Sequence, residues 1–364
     1  MKIGILTFHR TFNYGAVLQT LGLVVAIQKE YPDATVEIID YYNKRVQTLC
    51  RSFYMAPGNK VISFAKAVIR YPERLRKKKN YDEFVEKYIP LSANSYYEQE
   101  ELVEILDEYD FFITGSDQVW NSVCGNFDKT YFLTFVEDVK KKISYAASFG
   151  FKEMPENLTD EYRRRLECFD KISVRENSGS RILQELNGKA SKVCLDPTLL
   201  LNKNTWEKYV IKNTQKEPYI FVYSVMEPAF KEKLEEIAEK TNRKVIYLND
   251  AWKMSTKRVK YIRGISPIEF ISYIYHADMV LTNSFHGTVF SIIFEKLFFV
   301  ETKNGQYEND RIINLLEITG IQNKEIKNQD WECVNRDSVN WESVKKNLAI
   351  KQESSLEFLR ESLK

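Results

Sequence analysis

The stretch Lys2-Ile3-Gly4-Ile5-Leu6-Thr7-Phe8 opens the chain and decides its fold. A short apolar run of this kind is typical of a buried parallel strand. The run ends before Asn13-Tyr14-Gly15, and a helical pattern follows to about residue 29. Ala34-Thr35-Val36-Glu37-Ile38-Ile39-Asp40 then predicts a second strand that ends in an acidic residue. Strand, helix and strand within about 40 residues form a βαβ unit, which implies a parallel sheet.

The same alternation continues along the chain. In the first half, further strands are predicted at 109–115, 142–148, 171–175 and 190–196, and a helical insertion over about 60–95. A second series is predicted with strands at 219–225, 244–248, 279–282 and 297–301 and with helices at 229–241, 267–275 and 288–296. We therefore predict two Rossmann-like doubly wound domains, 1–205 and 206–364, facing each other across a cleft. The last helix is expected to pack back on the first domain.

Charge and composition narrow the class of protein. The 53 basic and 51 acidic residues give a net charge of +2, which argues against a nucleic-acid binder. The basic run Arg74-Leu75-Arg76-Lys77-Lys78-Lys79 fits a solvated helix face better than contact with an anionic surface. The five cysteines are dispersed, and neither a signal peptide nor a membrane-spanning stretch is evident. We therefore expect a cytoplasmic protein with at most peripheral contact with the inner face of the membrane.

The most informative motif is Thr282-Asn283-Ser284-Phe285-His286-Gly287-Thr288, between an apolar strand and an apolar helix. Such a turn places backbone N–H groups at a helix N-terminus, where phosphate or carboxylate binds. Ser284 and Thr288 add hydroxyl groups, and His286 adds an imidazole that exchanges protons near neutral pH. A capped helix with a packed histidine is the simpler alternative. We favour a donor-binding and catalytic turn.

Cationic side chains follow the next predicted strand. Lys303 comes soon after that strand, and Arg311 begins another amphipathic helix. A guanidinium there can hold a carboxylate or phosphate through two hydrogen bonds. Either residue alone is more often a surface charge.

The first half has its own cluster of polar residues at strand ends. Gly115-Ser116-Asp117-Gln118-Val119-Trp120-Asn121 follows a strand, and its amide, carboxylate and indole groups are typical of a sugar site, although Asp117 can equally cap a helix. Asn13-Tyr14-Gly15 with Gln19 forms a second turn at the same predicted edge. Arg175 ends another strand and either points into the cleft or pairs with a carboxylate such as Glu176.

Several familiar signatures are missing from the sequence. It contains no GxGxxG, no GxxxxGK[ST], no HExxH and no Gly-x-Ser-x-Gly. No residues have the spacing of metal ligands. We therefore expect no dinucleotide, metal or other cofactor.

Six motifs in order resemble those of the polysaccharide pyruvyl transferase family over about residues 10–320. They are Asn13-Tyr14-Gly15-Ala16 with Leu18-Gln19, Gly115-Ser116-Asp117-Gln118-Val119-Trp120-Asn121, Ser144-Tyr145-Ala146-Ala147-Ser148-Phe149-Gly150, Ser173-Val174-Arg175-Glu176, Leu195-Asp196-Pro197-Thr198 and Asn283-Ser284-Phe285-His286-Gly287-Thr288. The resemblance implies two Rossmann-like domains in a glycosyltransferase-B-like arrangement. It also implies phosphoenolpyruvate as donor and, as acceptor, a sugar linked to a nucleotide or to a lipid diphosphate.

The resemblance also implies roles for individual residues. His286 would be the catalytic acid, and Arg175 a donor-binding or transition-state residue. The donor would be held by Asn283, Ser284, Gly287, Thr288, Lys303 and Arg311. The acceptor would be held by Asn13, Tyr14, Gly15, Gln19, Ser116, Asp117 and Gln118.

Two other functions remain open from the sequence. Two facing Rossmann-like domains serve a nucleotide-sugar-dependent glycosyltransferase equally well, because fold does not fix function. A non-catalytic glycan-binding protein is the third possibility. The identity of the consumed donor distinguishes the three.

Overall fold

The computed structural model describes residues 1–124, 126–188, 191–249, 254–302, 307–332, 334 and 339–364, with the side chains of 307–310 and 328 excepted. The chain divides into two compact units. The first comprises Met1–Leu201 and Lys351–Lys364, and the second comprises Asn202–Ile350.

The first unit is a doubly wound sheet of seven parallel strands within the described residues. Its elements are β1 (Lys2–Leu6), α1 (Tyr14–Glu30), β2 (Thr35–Tyr41), α2 (Lys44–Leu49), α3 (Lys60–Tyr88), β3 (Leu91–Tyr96), β4 (Phe111–Asp117), β5 (Lys142–Ala147), α4 (Thr159–Glu167), β6 (Lys171–Val174), α5 (Asn177–Asn187) and β7 (Lys192–Val193). The strand order is β3-β2-β1-β4-β5-β6-β7. The order therefore reverses between β1 and β4.

The second unit repeats this plan with five parallel strands in the part of the chain that is described. Its elements are α6 (Lys203–Glu207), β8 (Tyr219–Tyr223), α7 (Leu234–Lys240), β9 (Lys244–Leu248), β10 (Val259–Ile262), α8 (Pro267–His276), β11 (Met279–Thr282), α9 (Phe285–Ile293), β12 (Leu297–Val300), α10 (Tyr307–Thr319) and α11 (Trp341–Ser362). The order is β10-β9-β8-β11-β12, so it reverses between β8 and β11.

Both sheets are built from the short apolar runs that the sequence shows. In β1, Ile3 and Ile5 are completely buried, and β11 is buried along its whole length. Helices cover both faces of such parallel sheets, so their strands are apolar on both sides. The prediction of two doubly wound α/β domains is therefore confirmed.

Two strands were not predicted. β3 lies at the end of the segment interpreted as a helical insertion, and β10 lies in a segment for which no strand was predicted. Each is one of the two edge strands of its sheet, and each carries polar or half-buried residues at several positions. An edge strand needs less apolar surface than a central one, so the apolar pattern that marked the others is absent here.

The last helix begins in the second unit and ends in the first. Its last part is joined to the first unit by hydrogen bonds. Gln352 donates to the carbonyl of Leu199, and the backbone N–H of Leu195 donates to Ser355. None of the helices in the described ranges is both long and apolar enough to cross a membrane.

Candidate functional site

Both sheets place polar turns where their strand order reverses. In open α/β sheets, ligands bind outside the carboxyl ends of the strands at this reversal. In the second unit, the motif at 283–288 follows β11, directly beside β8. In the first unit, the turn at 7–13 follows β1, and Ser116, Asp117 and Gln118 lie at the end of β4.

The turn after β11 is held in shape by its own side chains. The hydroxyl of Thr282 donates to the carbonyl of Tyr223 at 2.6 Å and accepts from the backbone N–H of Ser284 at 3.0 Å. Ser284 caps α9, since its hydroxyl accepts from the backbone N–H of Gly287. These bonds fix the start of α9 against the end of β8.

Gly287 allows a close approach that no other residue allows. A Cβ atom there would lie 2.4 Å from the hydroxyl oxygen of Thr282. The neighbouring Thr288 is completely buried, and its hydroxyl donates to the carbonyl of Ser284 at 3.0 Å. Both residues therefore shape the turn, and a part in donor binding stays a prediction for them.

Asn283 links the motif to the loop after β8. Its Oδ1 accepts from the backbone N–H of Val225 at 2.8 Å, and its Nδ2 donates to the carbonyl of Met226 at 3.0 Å. Both ends of the amide are thus used within the unit. Asn283 and Ser284 position the turn, and their contact with a donor remains a prediction.

His286 and Arg311 come together around one aromatic ring. His286 is largely buried, and its ring meets the ring of Phe285 edge-on at 5.1 Å between centroids. The guanidinium of Arg311 lies 5.5 Å from the centroid of the same Phe285 ring. The imidazole and the guanidinium therefore both contact the Phe285 ring, although the sequence places His286 and Arg311 25 residues apart. Lys303 lies outside the described residues.

Buried hydroxyl and amide groups connect the elements at the point where the strand order of the first unit reverses. Gln19 is completely buried, and its Nε2 donates to the hydroxyl of Thr7 at 3.0 Å. Thr7 in turn donates to the carbonyl of Ser116, and the hydroxyl of Ser116 donates to the carbonyl of Ala146. Gln19 and Ser116 thus join β1, α1, β4 and β5, and their part in acceptor binding stays a prediction.

The remaining predicted acceptor residues differ in exposure. Asn13 is exposed and caps α1, whereas Tyr14 and Gly15 are buried in the first turn of that helix. Asp117 is nearly buried and has a φ of 76°, a left-handed conformation that Asp tolerates better than most residues. Gln118 is half-buried beside it. Of these five residues, Asn13 and Gln118 offer the most accessible side chains.

Trp120 corrects one expectation about this turn. The sequence suggested that its indole offers a flat face to a sugar. Instead the side chain is completely buried, its Nε1 donates to the carbonyl of Tyr131 at 3.1 Å, and it stacks on Phe132. Trp120 is a core residue because the segment after it, including Tyr131 and Phe132, closes over the ring.

Arg175 lies among three carboxylates. Its Nη1 is 3.0 Å from Asp196, its Nη2 is 3.6 Å from Asp117, and its Nε is 3.8 Å from Glu176. The side chain is 2% exposed. The carboxylates outnumber the guanidinium, so this cluster does not by itself attract an anion. The pairing alternative fits these contacts, and the catalytic role of Arg175 stays a prediction.

The model of the family described as polysaccharide pyruvyl transferase matches residues 13–301. The match covers most of the chain and includes every motif described above. The chain belongs to the polysaccharide pyruvyl transferase family. No protein of curated function matches its sequence significantly.

Solved structures similar to this pyruvyl transferase family member are distant. A protein assigned as a UDP-N-acetylglucosamine 2-epimerase from Listeria monocytogenes is 11% identical with a TM-score of 0.49, over 92% of this chain and 94% of that chain. The UDP-GlcNAc 2-epimerase of Neisseria meningitidis, bound to UDP-GlcNAc, is 10% identical with a TM-score of 0.47, over 98% and 100%. The heptosyltransferase WaaC of E. coli, with ADP, is 12% identical with a TM-score of 0.40, over 85% and 89%.

One polar cluster of this transferase was missed from the sequence. Arg10 makes a bidentate ion pair with Asp40, with N–O distances of 2.6 and 2.9 Å. The Nε2 of His9 lies 2.9 Å from the same carboxylate, and its Nδ1 lies 3.2 Å from the carbonyl of Thr7. The His9 ring therefore lies between two acceptor groups, the carboxylate of Asp40 and the carbonyl of Thr7.

The electrostatics of this cluster follow from its hydrogen bonds. Burial by itself would raise the pKa of the Asp40 carboxyl, but bonds from His9, Arg10 and Ser95 outweigh it and hold that pKa well below its usual range. The cluster lies at the carboxyl ends of β1 and β2, close to the turn at Asn13. The sequence contained this signal, because His9 and Arg10 directly follow the first predicted strand (2–8) and Asp40 ends the second (34–40).

Proposed function

We propose that this family member transfers the pyruvyl group of phosphoenolpyruvate to a sugar of a polysaccharide precursor, forming a cyclic ketal and releasing phosphate. The observation that carries the proposal is the position of His286. It lies in the first turn of α9, at the strand reversal of the second sheet, with Arg311 on the ring of its neighbour Phe285. An acid, a cation and a helix N-terminus in one place suit a donor with two anionic groups.

The proposed reaction proceeds in two additions. A sugar hydroxyl adds to C2 of phosphoenolpyruvate and loses its proton, while a protonated His286 delivers its proton to C3, which becomes a methyl group. The C2–O bond to phosphate then breaks and phosphate leaves. A second hydroxyl of the same sugar adds to C2 and loses its proton, which closes the ketal. Of the two hydroxyl protons lost in the whole reaction, one restores His286 and the other leaves with the phosphate. One phosphate is released for each pyruvyl group transferred, and no oxidation takes place.

Donor recognition is proposed to rest on the second unit. The backbone N–H groups at the start of α9 and the guanidinium of Arg311 would hold the carboxylate and phosphate in a preorganised site. Lys303 is a further proposed contact. Asn283, Ser284, Gly287 and Thr288 would keep the turn in place, as their hydrogen bonds and packing support. We propose Arg175 as a catalytic residue on the basis of the family resemblance.

Acceptor recognition is proposed for the first unit, at the turns around Asn13 and Asp117. The acceptor would be a sugar linked to a nucleotide or a lipid diphosphate, with two hydroxyls close enough to share one carbon. We propose that no cofactor takes part besides phosphoenolpyruvate as co-substrate. We also propose that the protein acts in the cytoplasm. The cysteines of the described ranges are free thiols, which agrees with a reducing compartment.

The test has two stages. The first measures the melting temperature with phosphoenolpyruvate and with a panel of nucleotide sugars, because a ligand that binds the native state raises it by mass action. The second measures phosphate release from phosphoenolpyruvate with each sugar. Phosphate release that depends on one sugar supports the proposal. Release of free nucleotide without phosphoenolpyruvate would instead identify a glycosyltransferase.

His286→Ala assigns the acid, and His276→Ala is its matched control in the same unit. His276 is at the far end of α8 and hydrogen-bonds the carbonyl of Ile211. We expect His286→Ala to lower turnover by about 100-fold or more while the melting shift with phosphoenolpyruvate persists. His276→Ala should leave turnover unchanged. A His286→Ala enzyme within about tenfold of the parent would exclude the acid role.

A further inference from the structure

Helix α3 carries an unusual number of exposed apolar side chains. Between 48% and 79% of the surface of six large apolar residues is exposed: Val61, Ile62, Phe64, Val68, Ile69 and Leu75. Exposed apolar residues are common singly, but a contiguous set of this kind marks a binding surface. We call these six residues with the rest of 60–79 the α3 surface.

Helix α3 exposes its apolar face, which an ordinary surface helix buries. Val61, Val68 and Leu75 are seven residues apart and therefore share one face, which is exposed. Ser63 and Ala67 lie on the opposite side and are buried. A surface helix normally turns its apolar stripe inward. Here small residues face the protein, and the apolar stripe faces outward.

The segment preceding α3 is joined to the helix by hydrogen bonds and a ring contact, so the α3 surface is formed before any partner binds. The Nε of Arg74 donates to the carbonyl of Arg51 at 2.9 Å, and Ser63 donates to the carbonyl of Ala56 at 2.8 Å. The rings of Phe53 and Phe64 meet edge-on at 5.9 Å. These contacts leave the outward stripe in place without a ligand.

The charged residues around the α3 surface are almost all basic. Residues 44–79 contain eleven Lys and Arg residues and one acidic residue, Glu73. The whole chain has a net charge of +2, so the remainder is net negative. Lys60 and Lys66 are exposed at the two margins of the apolar stripe, and Arg70 is exposed further round the helix. A second copy of the chain would bring two such basic segments together, which like-charge repulsion opposes.

We propose that the α3 surface docks this enzyme on a bilayer that contains anionic phospholipids. The helix lies in the plane of the membrane, its outward apolar side chains enter the headgroup and acyl boundary, and the flanking Lys and Arg contact lipid phosphates. This goes beyond the proposed function, because it holds whichever donor the enzyme uses. It differs from the interpretation of the basic run at 74–79 as a solvated helix face.

The test is co-sedimentation of the full chain with vesicles. One set contains equal parts of phosphatidylcholine and phosphatidylglycerol, and the other contains phosphatidylcholine alone. We expect binding to the anionic vesicles and binding at least about tenfold weaker to the neutral ones. The paired substitution Val68→Glu with Ile69→Glu should weaken binding to anionic vesicles by about tenfold or more.

Matched controls separate the α3 surface from general effects. Val103→Glu introduces the same change at a valine 55% exposed, against 50% for Val68, on another part of the first unit. It should bind anionic vesicles as the parent does. Lys66→Glu with Arg70→Glu should weaken binding, whereas Lys216→Glu, in the second unit, should not. The melting temperature of each variant verifies that it is folded.

Three results would overturn the proposal. The first is no binding of the parent chain to anionic vesicles at low salt. The second is equal binding by the parent and the Val68→Glu, Ile69→Glu variant. The third is a dimer in sedimentation velocity that this variant dissociates, without lipid binding, which would make the α3 surface a contact between copies. Phosphate release from phosphoenolpyruvate with a soluble acceptor, measured without vesicles, reports on the proposed function separately.

Discussion

The Nη1 of Arg175 lies 3.0 Å from Oδ2 of Asp196, and the two side chains are 2% and 0% exposed. The other oxygen of Asp196 accepts from the backbone N–H and the hydroxyl of Thr198. Asp117 and Glu176 lie within 4 Å of the same guanidinium. The end of β6 is therefore joined to the ends of β4 and β7 through one arginine.

Arg175→Ala should lower the free energy of unfolding by about 3 to 5 kcal/mol, because it leaves buried carboxylates without their cation. Urea unfolding followed by circular dichroism measures this. Arg181→Ala, an exposed arginine on α5, is the control and should cost under about 1 kcal/mol. An Arg175→Ala protein as stable as the parent but inactive would show that the residue serves catalysis and not the fold.

Asp40 predicts a dependence of stability on acid pH. Its pKa is lower in the folded chain than in the unfolded chain, so its ion pairs stabilise the fold above about pH 4 and lose this effect as the pH falls below that value. Asp40→Asn should cost about 2 kcal/mol at neutral pH. The difference from the parent should shrink below about pH 4. A difference that stays constant to about pH 3 would contradict the ion pairs seen here.

The sequence predicted the central strands because they are buried on both faces, and so their apolar runs were continuous. The edge strands β3 and β10 were not predicted, because their polar residues resemble those of loops. Motif order was sufficient to identify the family. It did not show that Trp120 is core or that Arg175 is paired, because both depend on segments distant in the chain, Tyr131 and Asp196.

The same limit applies to the site in the second unit. The spacing of the motif predicted a helix N-terminus at His286, which local sequence determines. The approach of Arg311 to Phe285 depends on how α10 packs on α9, which no local pattern specifies. His9 and Arg10 lie in the loop between β1 and the Asn13 turn, and Asp40 lies near the end of β2. Because β1 and β2 are parallel neighbours, their pairing could have been predicted.

Gly287→Ala should destabilise the second unit by about 1 to 3 kcal/mol, because the added methyl group would meet the hydroxyl of Thr282 at 2.4 Å. Thr282→Ala removes that hydroxyl and also its bonds to Tyr223 and Ser284. The double variant should therefore cost less than the two single changes together. Chemical unfolding of the four proteins gives this coupling, and strict additivity would mean that the two side chains do not collide.

Cysteine reactivity should follow burial. Burial raises the pKa of the Cys194 thiol to about 11, so little thiolate exists there at neutral pH. Cys168 is exposed. In the native protein, iodoacetamide should label Cys168 much faster than Cys194, and the two should react at similar rates in urea. Peptide mass spectrometry gives both rates, and prompt native labelling of Cys194 would mean that the segment directly after β7 opens readily.

Arg311→Ala should weaken phosphoenolpyruvate binding more than it weakens the fold. The guanidinium lies against Phe285, so its loss removes a cation beside the His286 turn. We expect a loss of about 1.5 to 3 kcal/mol in donor binding, the scale of a hydrogen bond to a charged group, and hence a much smaller melting shift with phosphoenolpyruvate. Arg258→Ala is the control, at a half-buried arginine of the same unit beside the edge strand β10. It should keep the full shift. A full melting shift in Arg311→Ala as well would mean that the donor binds elsewhere. If instead only Arg311→Ala loses the shift, and it still releases more phosphate than His286→Ala does, donor binding and proton transfer are separate roles.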